Sequence, residues 1–109
     1  MKILVKKTIL YYVKIYPSAV IPLLVWFHEF EKKQFENFNQ LKSVYGNASI
    51  VANNKVVFNI KGNDFRLIVS VNFIQQACYV IWFGKQKEYD KIDIENIAFD
   101  TTILTNKDH

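Results

Sequence analysis

The spacing of apolar positions changes character once along the chain. Up to about residue 47 it follows helical periods, and from Lys55 onward it alternates with period two. Residues 2–5, Lys-Ile-Leu-Val, predict a short strand. From Lys7 to Tyr16 the residues Ile9, Tyr12, Val13 and Tyr16 recur near helical spacing and predict a first helix. Pro17 ends it, because the residue before a proline is driven out of the α region. Ser18 is the candidate N-cap of a second helix reaching about Lys33, with Val20, Leu23, Leu24, Phe27 and Phe30 on the period. Pro22 then falls in the first turn, where a missing N–H costs little. Residues 34–47 are polar and predict only a short helix around Gln40 to Tyr45, closed by Gly46-Asn47.

The second half reads as strands. Lys55 to Ile60 puts Val56, Phe58 and Ile60 on one face and Lys55, Val57 and Asn59 on the other. Gly62-Asn63-Asp64 is a turn signal. Phe65 to Phe73 alternates again, with Arg66, Ile68, Ser70 and Asn72 opposite Phe65, Leu67, Val69, Val71 and Phe73. Cys78 to Gly84 is a third strand, apolar on both sides. Helices first, an antiparallel meander later and one early strand predict an α+β domain with helices on one sheet face and a polar face opposite. Residues 85–109 carry no clear period.

Composition narrows the function classes. With 109 residues, 50% of them apolar and 16% aromatic, the chain is sized for one domain with its own core, spanning 1–109. A lone cysteine, Cys78, rules out a disulfide framework and any cysteine-based zinc site, and fits a reducing, cytoplasmic setting. The longest apolar run, Ala19 to Phe27, contains Pro22 and falls well short of the roughly 20 residues that span a bilayer. No membrane partner is expected. Charge is distributed unevenly. Residues 1–14 hold four lysines and no acid, whereas residues 42–87 hold six basic side chains against Asp64 alone. Residues 88–109 hold six acids and two lysines. A basic middle with an acidic tail points to a polyanion-binding face.

The run from Val57 to Val69, Val-Phe-Asn-Ile-Lys-Gly-Asn-Asp-Phe-Arg-Leu-Ile-Val, resembles a signature of the HigB toxin family. Glu88-Tyr89-Asp90-Lys91-Ile92 is similar to the closing segment of that family. The resemblance covers roughly residues 1–97, and residues 98–109 extend past the usual end. It implies a RelE-like fold: an N-terminal strand and two helices packed on a small antiparallel sheet. It also implies a ribosome-dependent endoribonuclease that cuts translated mRNA, without metal or other cofactor, and is neutralised by a helix-turn-helix (HigA-like) antitoxin. The family loop reads Gly-Thr-His, and here Gly84-Lys85-Gln86 stands in its place. Glutamine transfers no proton near neutral pH, so other groups carry that chemistry or the activity is weak.

Cleavage through the 2′-OH needs in-line geometry, a base, an acid and positive charge on the phosphorane oxygens. Arg66, the only arginine, suits the last task, since its planar fork stays charged and matches phosphate. Its bland alternative is a surface ion pair with Asp64 or Glu88. Lys85, Gln86 and Lys87 follow the third strand, either beside Arg66 or as a solvated loop. Tyr89 either stacks on a base or anchors the tail. Lys55, Asn59, Lys61, Asn63 and Lys91 are expected phosphate or RNA contacts, with Asn59 and Asn63 alternatively structural. Three readings follow: an mRNA interferase, an RNA- or ribosome-binding module that has lost cleavage, and a protein-interaction domain.

Overall fold

A computed structural model describes residues 1–4, 6–51, 54–94 and 97. The apolar periods become a short strand β1 (Lys2–Leu4) and two helices, α1 (Lys6–Ile15) and α2 (Val20–Glu31). A 3-10 turn at Pro17–Ala19 joins the helices. Ser18 lies inside that turn and is not the cap. Ala19 occupies the N-cap position of α2 without a side-chain bond. The turn's own geometry replaces the cap, because Ala19 N–H reaches Tyr16 O and Val20 N–H reaches Pro17 O. Pro22 sits in the first turn of α2, as its missing donor requires. A third helix, α3 (Phe38–Val44), is capped by Asn37, whose side chain accepts from Gln40 N–H at 2.9 Å.

Five strands form one sheet in the order β1-β5-β4-β3-β2. The predicted meander is β3 (Lys55–Ile60), β4 (Phe65–Asn72) and β5 (Ala77–Lys85), antiparallel throughout. The sheet is mixed because β1 pairs parallel with β5 at the other edge. β2 (Ser49–Val51), too short to carry a period, adds to β3. A four-residue helix, α4 (Gln86–Tyr89), follows β5 directly. Helical content and a single sheet give the α+β class expected.

The helix-side core centres on Phe30, fully buried on α2. Its ring stacks on Trp26 at 5.0 Å and meets Phe58 of β3 edge-on at 5.6 Å. Val56, Phe58, Ile60, Phe65, Leu67, Val69, Val71, Cys78, Val80 and Phe83 supply the sheet's half of this core. Strict alternation along β5 breaks at a bulge. Ile68 pairs with Trp82 and Val69 with Val80, so Ile81 is the extra residue. Cys78 and Val80 face the helices before the bulge and Phe83 after it, which throws both Ile81 and Trp82 to the outer face.

That outer face corrects the expectation of a polar surface. Val57, Ile68 and Ile81 form a second buried cluster, covered by Val51, Trp82, Tyr89, Ile92, Ile94 and Ile97. Polar side chains stay at the ends of this face, Asn59 and Arg66 near the β3–β4 turn and Ser70 and Asn72 away from it. The chain beyond α4 therefore crosses back over the sheet, and Lys55 holds it there. Lys55 is 7% exposed, and its ammonium donates to Ile94 O at 3.0 Å and Ile97 O at 2.7 Å. Its assignment as an RNA contact fails for that reason: the amine is engaged with backbone carbonyls inside the protein. Period-two parity places Lys55 on the outer face correctly but cannot show that the tail returns to cover it. Residues 98–109, expected as an extension, lie outside the described residues.

Two stability predictions follow from these environments. Lys55→Met removes charge-assisted bonds to two carbonyls and should cost about 1–3 kcal/mol. Hydrogen exchange should show faster exchange of the 92–94 amides, with no change in the salt slope of RNA binding. The Tyr45 hydroxyl is buried without a hydrogen-bond partner, and burial first, then the Glu29 charge, pushes its pKa up to about 12. A phenol held protonated in the fold stabilises fully below its unfolded value near 10, and that contribution is lost as pH rises toward about 12. Tyr45→Phe should therefore leave the urea midpoint at pH 7 unchanged or raised and flatten its decline between about pH 10 and 12.

Candidate functional site

Three elements meet at the polar end of the sheet: the β3–β4 turn, the end of β5, and α4. The turn is built at positive φ, with Lys61 at 54° and Gly62 at 64°, and closes through Asp64 N–H to Lys61 O at 3.2 Å. Gly62 supplies the left-handed conformation without strain, and Lys61 adopts it despite its Cβ. Gln86 N–H donates to Asp64 O at 3.1 Å and ties the start of α4 to this turn. Cross-strand register then sets Asn59 and Gly84 beside Arg66 on the outer face.

The structure thus brings together Asn59, Lys61, Asn63, Arg66, Lys85, Gln86 and Lys87. Lys61, Asn63, Lys85 and Lys87 are exposed, and Arg66, Asn59 and Gln86 are half-buried. The guanidinium of Arg66 donates from Nη1 to Asn63 O at 3.2 Å and Phe65 O at 3.1 Å. These are backbone partners. Neither Asp64 nor Glu88 pairs with it, so the ion-pair alternative fails, and among the described residues no carboxylate takes the charge. Next to it an open cleft of about 440 Å³ is lined by Ser18, Asn63, Asp64, Phe65, Lys85, Gln86 and Lys87. Lys91 is exposed in the turn after α4. Lys55 lies outside the group: its pair with Ser70 is four residues from the Asn59–Arg66 pair, roughly 13 Å along the strand.

Within α4 the side chains divide. Gln86 Nε2 donates to both carboxylate oxygens of Asp90, at 3.3 and 3.2 Å. Glu88 accepts from Tyr16 OH at 3.2 Å. Tyr16 packs edge-on against Phe65 and Phe83, so α1 and α4 are pinned to each other over the end of the sheet. Burial, then the charge and hydrogen bond of Glu88, raise the Tyr16 pKa above that of a free phenol. Tyr89 is half-buried, its ring 6.5 Å from Trp82. It serves the second core as the anchoring alternative proposed, with part of the ring still open.

Sequence reasoning missed Trp82 and Tyr16 as members of this region and offered Glu88 only as an ion-pair partner of Arg66. Trp82 reaches the outer face only through the bulge, which no period reveals. Its ring lies across Gly84: a Cβ there would sit 2.6 Å from Trp82 Cη2 and Cζ2. Glycine at 84 is therefore what lets an indole lie flat beside Arg66. His28 is exposed on α2, its ring edge-on to Phe27, and lines a different groove. Cys78 is fully buried, and burial pushes its thiol pKa up, as an inert core cysteine requires. No group of three or more potential metal ligands occurs among the described residues. No helix among them is long and apolar enough to cross a membrane.

Gly84→Ala tests the indole's place. The ring must leave the strand surface, which should lower stability by about 1–3 kcal/mol. Tryptophan emission should shift to the red as Trp82 enters solvent, while far-ultraviolet dichroism stays that of the native fold. An unshifted spectrum would place the ring elsewhere.

The family resemblance now has an independent counterpart. A sequence model of the HigB toxin family, the RelE-like toxic component of a toxin-antitoxin system, matches residues 19–92, from the 3-10 turn through α4. No curated protein matches the chain. The matched span covers more than half of the chain and contains the whole β2–β5 sheet, the turn, Arg66 and the 85–89 segment. This chain belongs to the HigB toxin family, the RelE-like toxins of toxin-antitoxin systems.

Proposed function

We propose that this toxin is an mRNA interferase: it binds translated mRNA in the cytoplasm, at the ribosome, and cleaves it without a metal, through attack of a 2′-OH on the adjacent phosphate. The observation that carries the reading is Arg66, whose guanidinium is held by the Asn63 and Phe65 carbonyls, with no carboxylate partner among the described residues. Its anchor Asn63 lines the neighbouring cleft together with Lys85 and Lys87. A charge fixed by backbone bonds is oriented before the substrate arrives, which is what stabilising a phosphorane demands. Lys61 and Lys91 add phosphate contacts, with Asn59 and Asn63 as hydrogen-bonding partners for sugar or base. The partly open ring of Tyr89, backed by Trp82, gives a base a surface to stack on.

Proton transfer falls to groups other than histidine. Gln86 carries no proton to transfer, and its amide is occupied with Asp90. Lys85, Lys87 and Tyr89 remain to carry the proton transfers. The same Gln86–Asp90 bond favours a second reading, an RNA- or ribosome-binding module with weakened cleavage. Both readings keep an antitoxin as partner, HigA-like in the finer form of the proposal, since the family is defined by that pairing.

Arg66→Ala should leave the melting temperature within a few degrees and reduce single-turnover cleavage of ribosome-bound mRNA about 10²–10³-fold. The wild-type rate should rise with pH through the neutral range without an inflection near about 6.5, and Gln86→His should introduce one. Intact cleavage by a folded Arg66→Ala variant would remove Arg66 from the site. A chain that binds ribosomes with a steep salt dependence and leaves mRNA whole would establish the second reading.

A further inference from the structure

The segment from Lys85 to Lys91 holds three lysines and two acids at spacings that invite ion pairs. Lys85 and Glu88, Lys87 and Asp90, and Glu88 and Lys91 all stand at i and i+3 through α4 and the turn that follows it. Such positions face each other at roughly 5–6 Å between Cβ atoms. Each carboxylate is taken instead by a neutral donor. Tyr16 OH donates to Glu88 Oε1 at 3.2 Å, and Gln86 Nε2 donates to the two oxygens of Asp90 at 3.3 and 3.2 Å. Among the described residues none of Arg66, Lys85 and Lys87 has a carboxylate partner.

Preorganisation explains why the neutral donors win. The Tyr16 ring packs edge-on against Phe65 at 5.4 Å and Phe83 at 5.8 Å, so its hydroxyl is fixed before it meets Glu88. A lysine must immobilise a long stem to make the same contact, and an exposed ion pair recovers little beyond that entropy. Gln86 and Asp90 stand at i and i+4, a spacing at which an amide and a carboxylate bond well. Lys85 and Lys87, which line the cleft, therefore keep a charge that their own segment carries the acids to cancel.

We propose that Tyr16 and Gln86 are positioning residues of the polyanion site: they hold Glu88 and Asp90 off the lysines of residues 85–91 and so keep those cations uncompensated for RNA phosphates. The proposal rests on the reading of this sheet end as the RNA site and deepens it. Phosphate affinity then depends on two neutral side chains that touch no phosphate themselves. Glutamine at position 86 acquires a task that involves no proton transfer.

The test measures binding of fluorescein-labelled oligouridine by the full chain across a salt series. Tyr16→Phe keeps the ring and removes only the hydroxyl, so its melting temperature should stay within about 2 °C of wild type. Glu88 is then released toward Lys85 and Lys91. Withdrawing one cation from a single strand lowers the salt slope by about 0.7, which is about fivefold in affinity at roughly 0.1 M salt. Adding Glu88→Gln to Tyr16→Phe should restore both slope and affinity, because the released side chain no longer carries charge. Gln86→Ala should show the same loss, and Asp90→Asn added to it the same recovery. A loss that neutralising the acid does not repair would make Tyr16 and Gln86 structural supports and overturn the proposal. Wild-type binding by both Tyr16→Phe and Gln86→Ala would also overturn it, and in either case the cleavage reading stands. A wild-type chain without salt-dependent binding overturns the proposal as well, and single-turnover cleavage of ribosome-bound mRNA by the same protein decides whether the cleavage reading falls with it.

Discussion

The pairing of β4 with β5 is the constraint on which the candidate site depends. Its register sets Phe65 opposite Lys85 and Arg66 opposite Gly84, which fixes the arginine at the end of the sheet that α4 reaches. The bulge at Ile81 then offsets the strand by one residue, so Phe83 enters the helix-side core while Trp82 leaves it. A flat β5 in strict alternation would bury the indole under the helices. One inserted residue thus decides which aromatic ring borders Arg66, and a glycine two residues later leaves room for it.

The sheet is covered on both faces, and the two coverings are of different kinds. On the helix side, aromatic rings from α2, from the segments flanking α3 and from β3 interlock around Phe30. On the other side the described cover over Val57 and Ile68 comes from Trp82, from Tyr89 of α4 and from the returning chain, whose carbonyls need donors that the sheet's filled ladder does not offer. Lys55 meets that need. A long amphipathic side chain crosses the apolar cluster and delivers its ammonium to the Ile94 and Ile97 carbonyls. Charge in this basic chain therefore has two separate uses: one lysine holds the tail, and others at the sheet end stay exposed.

Legibility in the sequence followed the length and regularity of each element. The long alternations of β3 and β4 and the helical stripes of α1 and α2 were readable because one face of each is buried, and burial imposes the period. β2 and α4 were not, since three or four residues are too few to show one. The charged and signature residues of the candidate site, Arg66 and the 85–87 run, stood out through strand parity, the scarcity of arginine and the family resemblance. What parity could not show is tertiary return. Lys55 sits on the face it predicts, yet the tail covers that face. The Tyr16–Glu88 contact joins positions 72 residues apart, and nothing local announces it.

The hairpin turn carries an opposition inside a single residue. Lys61 holds φ at 54°, a region where a residue with a Cβ is disfavoured by about 1 kcal/mol and asparagine or glycine fits better. Selection for thermal robustness alone would therefore drift toward those residues at position 61 and shed a positive charge from the end of the sheet. Retaining lysine there keeps a cation on a backbone that resists it. Libraries screened only for heat tolerance should enrich the neutral turn, and so quietly lower the protein's attraction for polyanions while every strand and helix stays in place.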